Sequence, residues 1–166
     1  NDNVGEVRKQ PSKLAIGAKL DLSAFSWSLI LDNTTLGDGK ALFHSDHGNL
    51  LSGNTAAAGL SATTLVTMDG KLKDQTLPGR TDKLMLPTKY IIIPANAAMR
   101  TIAHSVIAPA FGQNNNVPTF AQSLSVQGVK CPHADDADDW YAATDKGIQE
   151  ILEIGFFQGK EEPEIL

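Results

Sequence analysis

At 166 residues, 42% apolar and 20% charged, the chain has the length and composition of one soluble globular domain, without the low-hydrophobicity, high-charge signature of disorder. A formal net charge of -5, with Lys and Arg scattered, argues against a sequence-independent grip on nucleic acid, which needs clustered cations to displace phosphate counterions. The single cysteine, Cys131, excludes an intrachain disulfide and a cysteine-rich zinc site, and it fits a reducing compartment.

The longest unbroken apolar run is Tyr90 to Pro94, well short of the roughly 20 residues that cross a bilayer. No cationic, apolar leader opens the chain, so it reads as soluble and intracellular. It starts at Asn1 without methionine and stops at Leu166 soon after a strand-like segment, and the expectation is a trimmed or partly ordered fragment.

Pro11 and Ser12 precede Leu14, Ala18, Leu22, Phe25 and Leu29, whose spacing marks one helical face and predicts a helix from Ser12 to Asp32. Ile16, Leu20, Trp27, Ile30 and Leu31 make that helix apolar on more than one side, so it should be buried along much of its length or covered by neighbours. From 33 to 53, Gly37, Gly39, Gly48 and Gly53 stand among Asp, Asn and Ser, which is turn chemistry, with Lys40 to Phe43 able to pair briefly as a strand. Ser61 is an N-cap for a helix carrying Leu65, Met68 and Leu72 and ending near Gln75, weakened by Gly70, before Leu77, Pro78 and Gly79 turn the chain.

Tyr90 to Ile93 is β-branched and apolar and reads as a buried strand, with Pro94 in the first turn of a helix running to about Ile107. Residues 109 to 119 form a polar loop. Leu124 to Val129 alternates as a half-exposed strand, Trp140 to Ala143 is another, and Ile148 to Phe157 a third with Gly155 as a bulge. Helices first and strands late point to an α+β fold, and no repeat or heptad series is present.

Few segments carry chemistry. His44, Asp46 and His47 are nitrogen and oxygen donors within four residues, similar to the latter half of the metallo-β-lactamase HxHxDH pattern. That pattern needs a further histidine where Leu42 stands, and only His104 and His133 remain elsewhere, so a metal site would lack a ligand and the two histidines read instead as loop-structuring groups bonded to carbonyls. Gly37-Asp38-Gly39-Lys40 lacks the Ser or Thr that completes a phosphate loop, and no GxSxG or GxGxxG occurs. Asp135, Asp136, Asp138 and Asp139 lack the calcium-loop spacing and read as a solvated hairpin tip, Glu161, Glu162 and Glu164 as a solvated tail, and Cys131-Pro132-His133 as a surface loop. No catalytic residue and no cofactor is called for.

Leu36 to Leu50, through Asp38, Gly39, Lys40, Phe43, His44, Asp46, His47, Gly48 and Asn49, is similar to the "DGKALFHADHGNL" stretch of the Mu-like phage major head protein family. In order along the chain, Asn33 at a helix end, the helix after Ser61, Leu86 to Pro94, Trp140-Tyr141 and Glu162 to Ile165 resemble further family segments, so the resemblance covers roughly residues 13 to 166. Family chains begin earlier and extend past Ile165, and the protease fused to some relatives has no counterpart here. The resemblance implies the Hong Kong 97-type capsid fold: residues 1–109 as peripheral-domain part with a spine helix at 12–32, residues 110–147 as axial lobe, and 148–166 as a strand returning to the peripheral domain.

By that resemblance the chain is a structural, non-enzymatic subunit of a tailed-phage or prophage head. It assembles in the host cytoplasm into a virion capsid, and its partners are other copies of itself with a scaffold or prohead protease, not sequence-specific nucleic acid or membrane. The loop 37–53 and the loop 111–119 are its candidate contact elements. Two readings compete: a metal-dependent hydrolase built on His44, Asp46 and His47, and a small α+β protein-binding module.

Overall fold

The computed structural model describes residues 3–51, 59–108, 120–134, 136, 138–149 and 152. Helix α1 spans Asn3–Leu31, beginning well before the expected Ser12 and running through Pro11. No described side chain of α1 is buried, and Leu14, Ile16, Leu20 and Phe25 are each more than half exposed. The expectation that this helix is buried along much of its length therefore fails among the described residues: its periodicity marks apolar faces, but these stay exposed or at most partly covered.

The expectation about membranes needs correcting too. Lys9–Leu31, 23 residues, is long and apolar enough to cross a bilayer although its apolar residues are not consecutive. Lys19 and Asp21 flank the midpoint of that stretch, where each charge costs roughly 2.5–3.5 kcal/mol in hydrocarbon.

The folded body is built from α2 (Ala62–Lys73), β1 (Tyr90–Pro94), α3 (Ala97–Ile107), α4 (Phe120–Ser123), β2 (Gln127–Cys131) and β3 (Tyr141–Ala143). α2 starts where expected: Ser61 Oγ accepts from Thr64 N at 3.1 Å while Thr64 Oγ1 accepts from Ser61 N at 2.9 Å, so two N–H groups that the helix leaves unpaired are satisfied together. In β1 the alternation of a strand sends Ile91 and Ile93 inward, while Tyr90 and Ile92 on the other face stay half-buried.

Pro94 is the last residue of β1 and not the first turn of a helix. Asn96 supplies what proline cannot, a side-chain oxygen that accepts from Met99 N at 2.7 Å, and α3 begins behind it. β1 lies at the centre of a sheet ordered β2-β1-β3, parallel to β2 with Tyr90 opposite Gln127 and antiparallel to β3 with Tyr90 opposite Ala143. Strands and helices are thus mixed in one α+β body.

β2 sits later than the alternation of Leu124 to Val129 suggests, because Ser125 takes a left-handed φ of 54° that interrupts an extended path. Leu124 and Val126 pack into the core ahead of the strand instead. Cys131 is the buried end of β2 and not part of a surface loop; the turn begins only at Pro132 and His133. Ile148 stands in a turn closed by its own N–H on the Asp145 carbonyl at 2.9 Å, so the third expected strand does not start there. The rest of that segment, apart from Gln149 and Leu152, and the loop 109–119 lie outside the described residues.

The core gathers Leu60 and Leu65 from the α2 region, Ile91 and Ile93 from β1, Met99, Ala103 and Val106 from α3, and Ala121 and Val126. One charge is buried with it. Asp69 accepts from Lys73 Nζ at 2.6 Å and from Thr88 N at 3.1 Å, tying α2 to the segment that enters β1. Burial pushes its carboxyl up, but the Lys73 ammonium and the Thr88 N–H outweigh it and hold the pKa below the usual value.

Candidate functional site

The loop that follows α1 is held by bonds among its own motif residues. Asn33 turns the chain with a left-handed φ of 48°, which Asn tolerates better than most residues. Its side chain then clasps Phe43 on both sides, Oδ1 accepting from Phe43 N at 2.6 Å and Nδ2 donating to Phe43 O at 3.3 Å. Thr35 pairs with Ala41 across the hairpin, and Gly39, at φ 80°, makes the reversal that brings Lys40 back. Asp38 Oδ1 accepts from Lys40 N at 3.0 Å, an Asx turn that sets the same bend from the side-chain side.

A single 3₁₀ turn, Ser45–His47, closes the other end. His44 Nδ1 accepts from Asp46 N at 3.1 Å and caps it; Gly48, at φ 65°, ends it with its N–H on the Ser45 carbonyl at 3.0 Å. Asn49 staples the base, accepting from His44 N at 3.0 Å and donating to the Leu42 carbonyl at 2.7 Å. Lys40 pairs with Asp46, and His47 lies between the Leu42 carbonyl and Asp38.

These pairings move the titrations in consistent directions. The hydrogen bond from His47 lowers the Asp38 carboxyl, and Asp38 in turn raises the imidazole of His47. Lys40 lowers Asp46 and is itself raised by it. All four groups are solvated, so the shifts describe how the loop organises its charges and not a large store of stability.

The structure brings all nine motif residues, Asp38, Gly39, Lys40, Phe43, His44, Asp46, His47, Gly48 and Asn49, into one loop, but it does not converge His44, Asp46 and His47 on a common point. Their donor atoms are turned to Asp46 N, Lys40 and Asp38 respectively. Among the described residues no group of three His, Cys, Asp or Glu side chains is placed to hold a metal ion. Asn33, the residue that carries the turn, was legible only as a helix end; its signal is that Asn is among the few residues at home in left-handed backbone.

The loop reaches the sheet through Phe43, whose ring lies 5.2 Å from that of Tyr141 in β3. Burial, with Asp139 beside it, pushes the Tyr141 phenol up to about 12. Burial and the carboxylate of Asp136 raise Asp139 in turn. A cleft of about 220 Å³ separates this edge from α1, with Ala24, Ser28 and Leu31 on the helix side and His133, Asp136 and Tyr141 opposite. Ser23 Oγ reaches His133 Nε2 across it at 3.4 Å. Asp136 and Asp138 are exposed and Asp138 N donates to Asp136 Oδ1 at 2.9 Å, so the acidic turn is bonded to itself.

No curated protein and no solved structure matches the chain. A family model described as phage capsid protein matches it over residues 1–166. That match spans the whole sequence, and the chain belongs to the phage capsid protein family.

Proposed function

We propose that the chain is a structural subunit of the Mu-like type, from a tailed phage or prophage, that self-assembles with identical copies into an icosahedral head of the Hong Kong 97-type fold. The observation that carries this is α1: a 29-residue helix with apolar residues around its circumference and no buried described side chain is a surface that a lone domain leaves unsatisfied and a shell covers. The loop 37–53 serves as a contact element, and the polar groups of Asp38, Lys40, His44, Asp46, His47 and Asn49 within it are paired internally, so that docking does not strand them. Residues 1–109 are assigned to the peripheral domain, 110–147 to the axial lobe and 148–166 to the return strand, with assembly in the host cytoplasm alongside a scaffold or prohead protease.

A second reading is favoured by the length and apolarity of Lys9–Leu31, which suit a membrane span. Lys19 and Asp21 at its middle weigh against it by roughly 5–7 kcal/mol together. The deciding experiment is light scattering with negative-stain microscopy on concentrated protein, with and without detergent. Rings or shells in plain buffer establish the capsid reading; protein recovered only with detergent establishes the span.

A further inference from the structure

The loop that follows α1 pairs Asp38 with His47, Lys40 with Asp46 and His44 with Asn49, and none of these bonds leaves the loop. They fix its internal shape. Its angle to the sheet has to be set by contacts that do leave it, and Phe43 makes such a contact. Asn33 holds the Phe43 backbone on both sides, at 2.6 and 3.3 Å, so the ring springs from a backbone that cannot swing freely. That ring meets Tyr141 with centroids 5.2 Å apart and planes tilted by 34°, inside the range of about 4.5–7 Å over which aromatic pairs attract. The far end of the loop passes the body more loosely: a β-carbon on Gly48 would stand 3.6 Å from the Gln75 amide nitrogen, an ordinary van der Waals contact.

Tyr141 is itself held from three sides. Its backbone lies in β3, opposite Ile92 of β1. Its phenol is hydrogen-bonded to the Asp139 carboxylate. It also lines the cleft whose other wall is Ser28, Leu31 and Asp32 at the end of α1. The residue therefore stands where the sheet, the end of α1 and the loop that leaves that end come together, and a ring with only two rotatable bonds makes a stiff spacer there.

Resting on the reading of this loop as a shell contact, we propose that Tyr141 is a positioning residue for that contact: its ring, against Phe43, sets the angle at which residues 38–49 stand on the sheet and so the geometry offered to the next copy. The role needs no contact between Tyr141 and the second copy. The angle matters because a heterologous contact closes into a ring only when the rotation from copy to copy is right, and an error in one loop recurs at every contact. The aromatic ring carries the role, because it is the ring that meets Phe43, while the hydroxyl serves Asp139.

The test compares full-length Tyr141→Phe, Tyr141→Ala and Phe43→Leu with the unaltered chain, Phe43→Leu covering the case in which Tyr141→Ala does not fold. Analytical ultracentrifugation reads association, residual dipolar couplings on dilute protein read the orientation of the loop amides relative to β1, and the NMR titration midpoint of His47 reads whether the loop is intact within itself. Tyr141→Phe should associate within about two-fold of the unaltered chain, while Tyr141→Ala and Phe43→Leu should weaken association by about ten-fold or more, the scale on which residues outside an interface modulate it. In those two variants the loop should turn relative to β1 with the His47 midpoint unmoved. Loop couplings that stay as in the unaltered chain overturn the proposal, as does a shifted His47 midpoint, which would make the ring a support of the loop's own fold. Tyr141→Phe behaving like Tyr141→Ala would place the effect on the hydroxyl and overturn the ring. A turned loop with association unchanged removes Tyr141 from assembly while the shell reading stands. An unaltered chain that stays monomeric at every concentration removes the shell reading, and the couplings still decide whether Tyr141 orients the loop.

Discussion

His47 is held between two acceptors: its Nε2 lies 2.8 Å from Asp38 Oδ2 and its Nδ1 lies 3.1 Å from the Leu42 carbonyl oxygen. Neither partner can donate, so the ring satisfies both only as the doubly protonated imidazolium. This raises the pKa of His47 and lowers that of Asp38.

The sign of the pH dependence follows. Stabilisation of the loop by His47 is fully present below the ordinary histidine range and is lost as pH rises through its raised pKa; that from Asp38 is present above the ordinary carboxylate range and is lost as pH falls through its depressed one. The loop is therefore tightest at mildly acidic pH. An NMR titration should place the His47 midpoint above 6.5, and Asp38→Asn should return it toward that value. A midpoint that Asp38→Asn leaves unmoved would contradict the pairing.

Asn33→Ala removes both bonds to Phe43 and puts at φ 48° a residue that tolerates left-handed backbone less well than Asn. The strain and the two lost bonds together should cost about 1–3 kcal/mol, and Asn33→Gly, which keeps the backbone angle available, should cost less. Urea unfolding of the three chains measures this. Equal losses for Ala and Gly would show that the side-chain bonds alone matter.

Asp69→Ala leaves the Thr88 N–H buried without its acceptor and Lys73 without its partner. With Lys73 partly exposed, the expected loss is about 1–3 kcal/mol near neutral pH. Because the Asp69 pKa is depressed, its contribution is present above the ordinary carboxylate range and disappears as pH falls through the depressed value. The two chains should accordingly converge in urea stability in acid, and a constant gap across pH would show that Asp69 does not titrate as described.

Leu65, fully buried, and Phe25, 58% exposed, make a contrasting pair. Leu65→Ala should cost about 2–5 kcal/mol in the thermal or urea unfolding of the chain by opening a cavity. Phe25→Ser should change unfolding of the monomer by no more than about 0.5 kcal/mol and act instead on association, read by light scattering. A large unfolding loss for Phe25→Ser would mean that its ring is covered within a single chain.

Local features were legible wherever the chain itself supplies the partner. Ser61 and Thr64 form the cap of α2 three residues apart, β1 declares itself through Ile91 to Ile93, and the loop of Asp38 to Asn49 is bonded almost wholly within its own span. The same local reasoning erred where a distant or backbone choice intervened: Pro94 closes β1 because Asn96 is the better cap, β2 starts late because Ser125 turns left-handed, and Cys131 is buried because β2 pairs with β1 over its whole length.

The sequence by itself determined the α+β content, the existence of α1, α2 and α3, and the central strand, since these depend on spacing and on bonds between near neighbours. Only the tertiary structure decided where α1 lies. Periodicity states that a helix has apolar faces, but which of them is covered depends on elements far away in sequence, and here Leu14, Ile16 and Leu20 stay exposed among the described residues. It likewise decided that His44, Asp46 and His47 turn to different partners, because three donors within four residues converge on a common point only if the backbone aims them there.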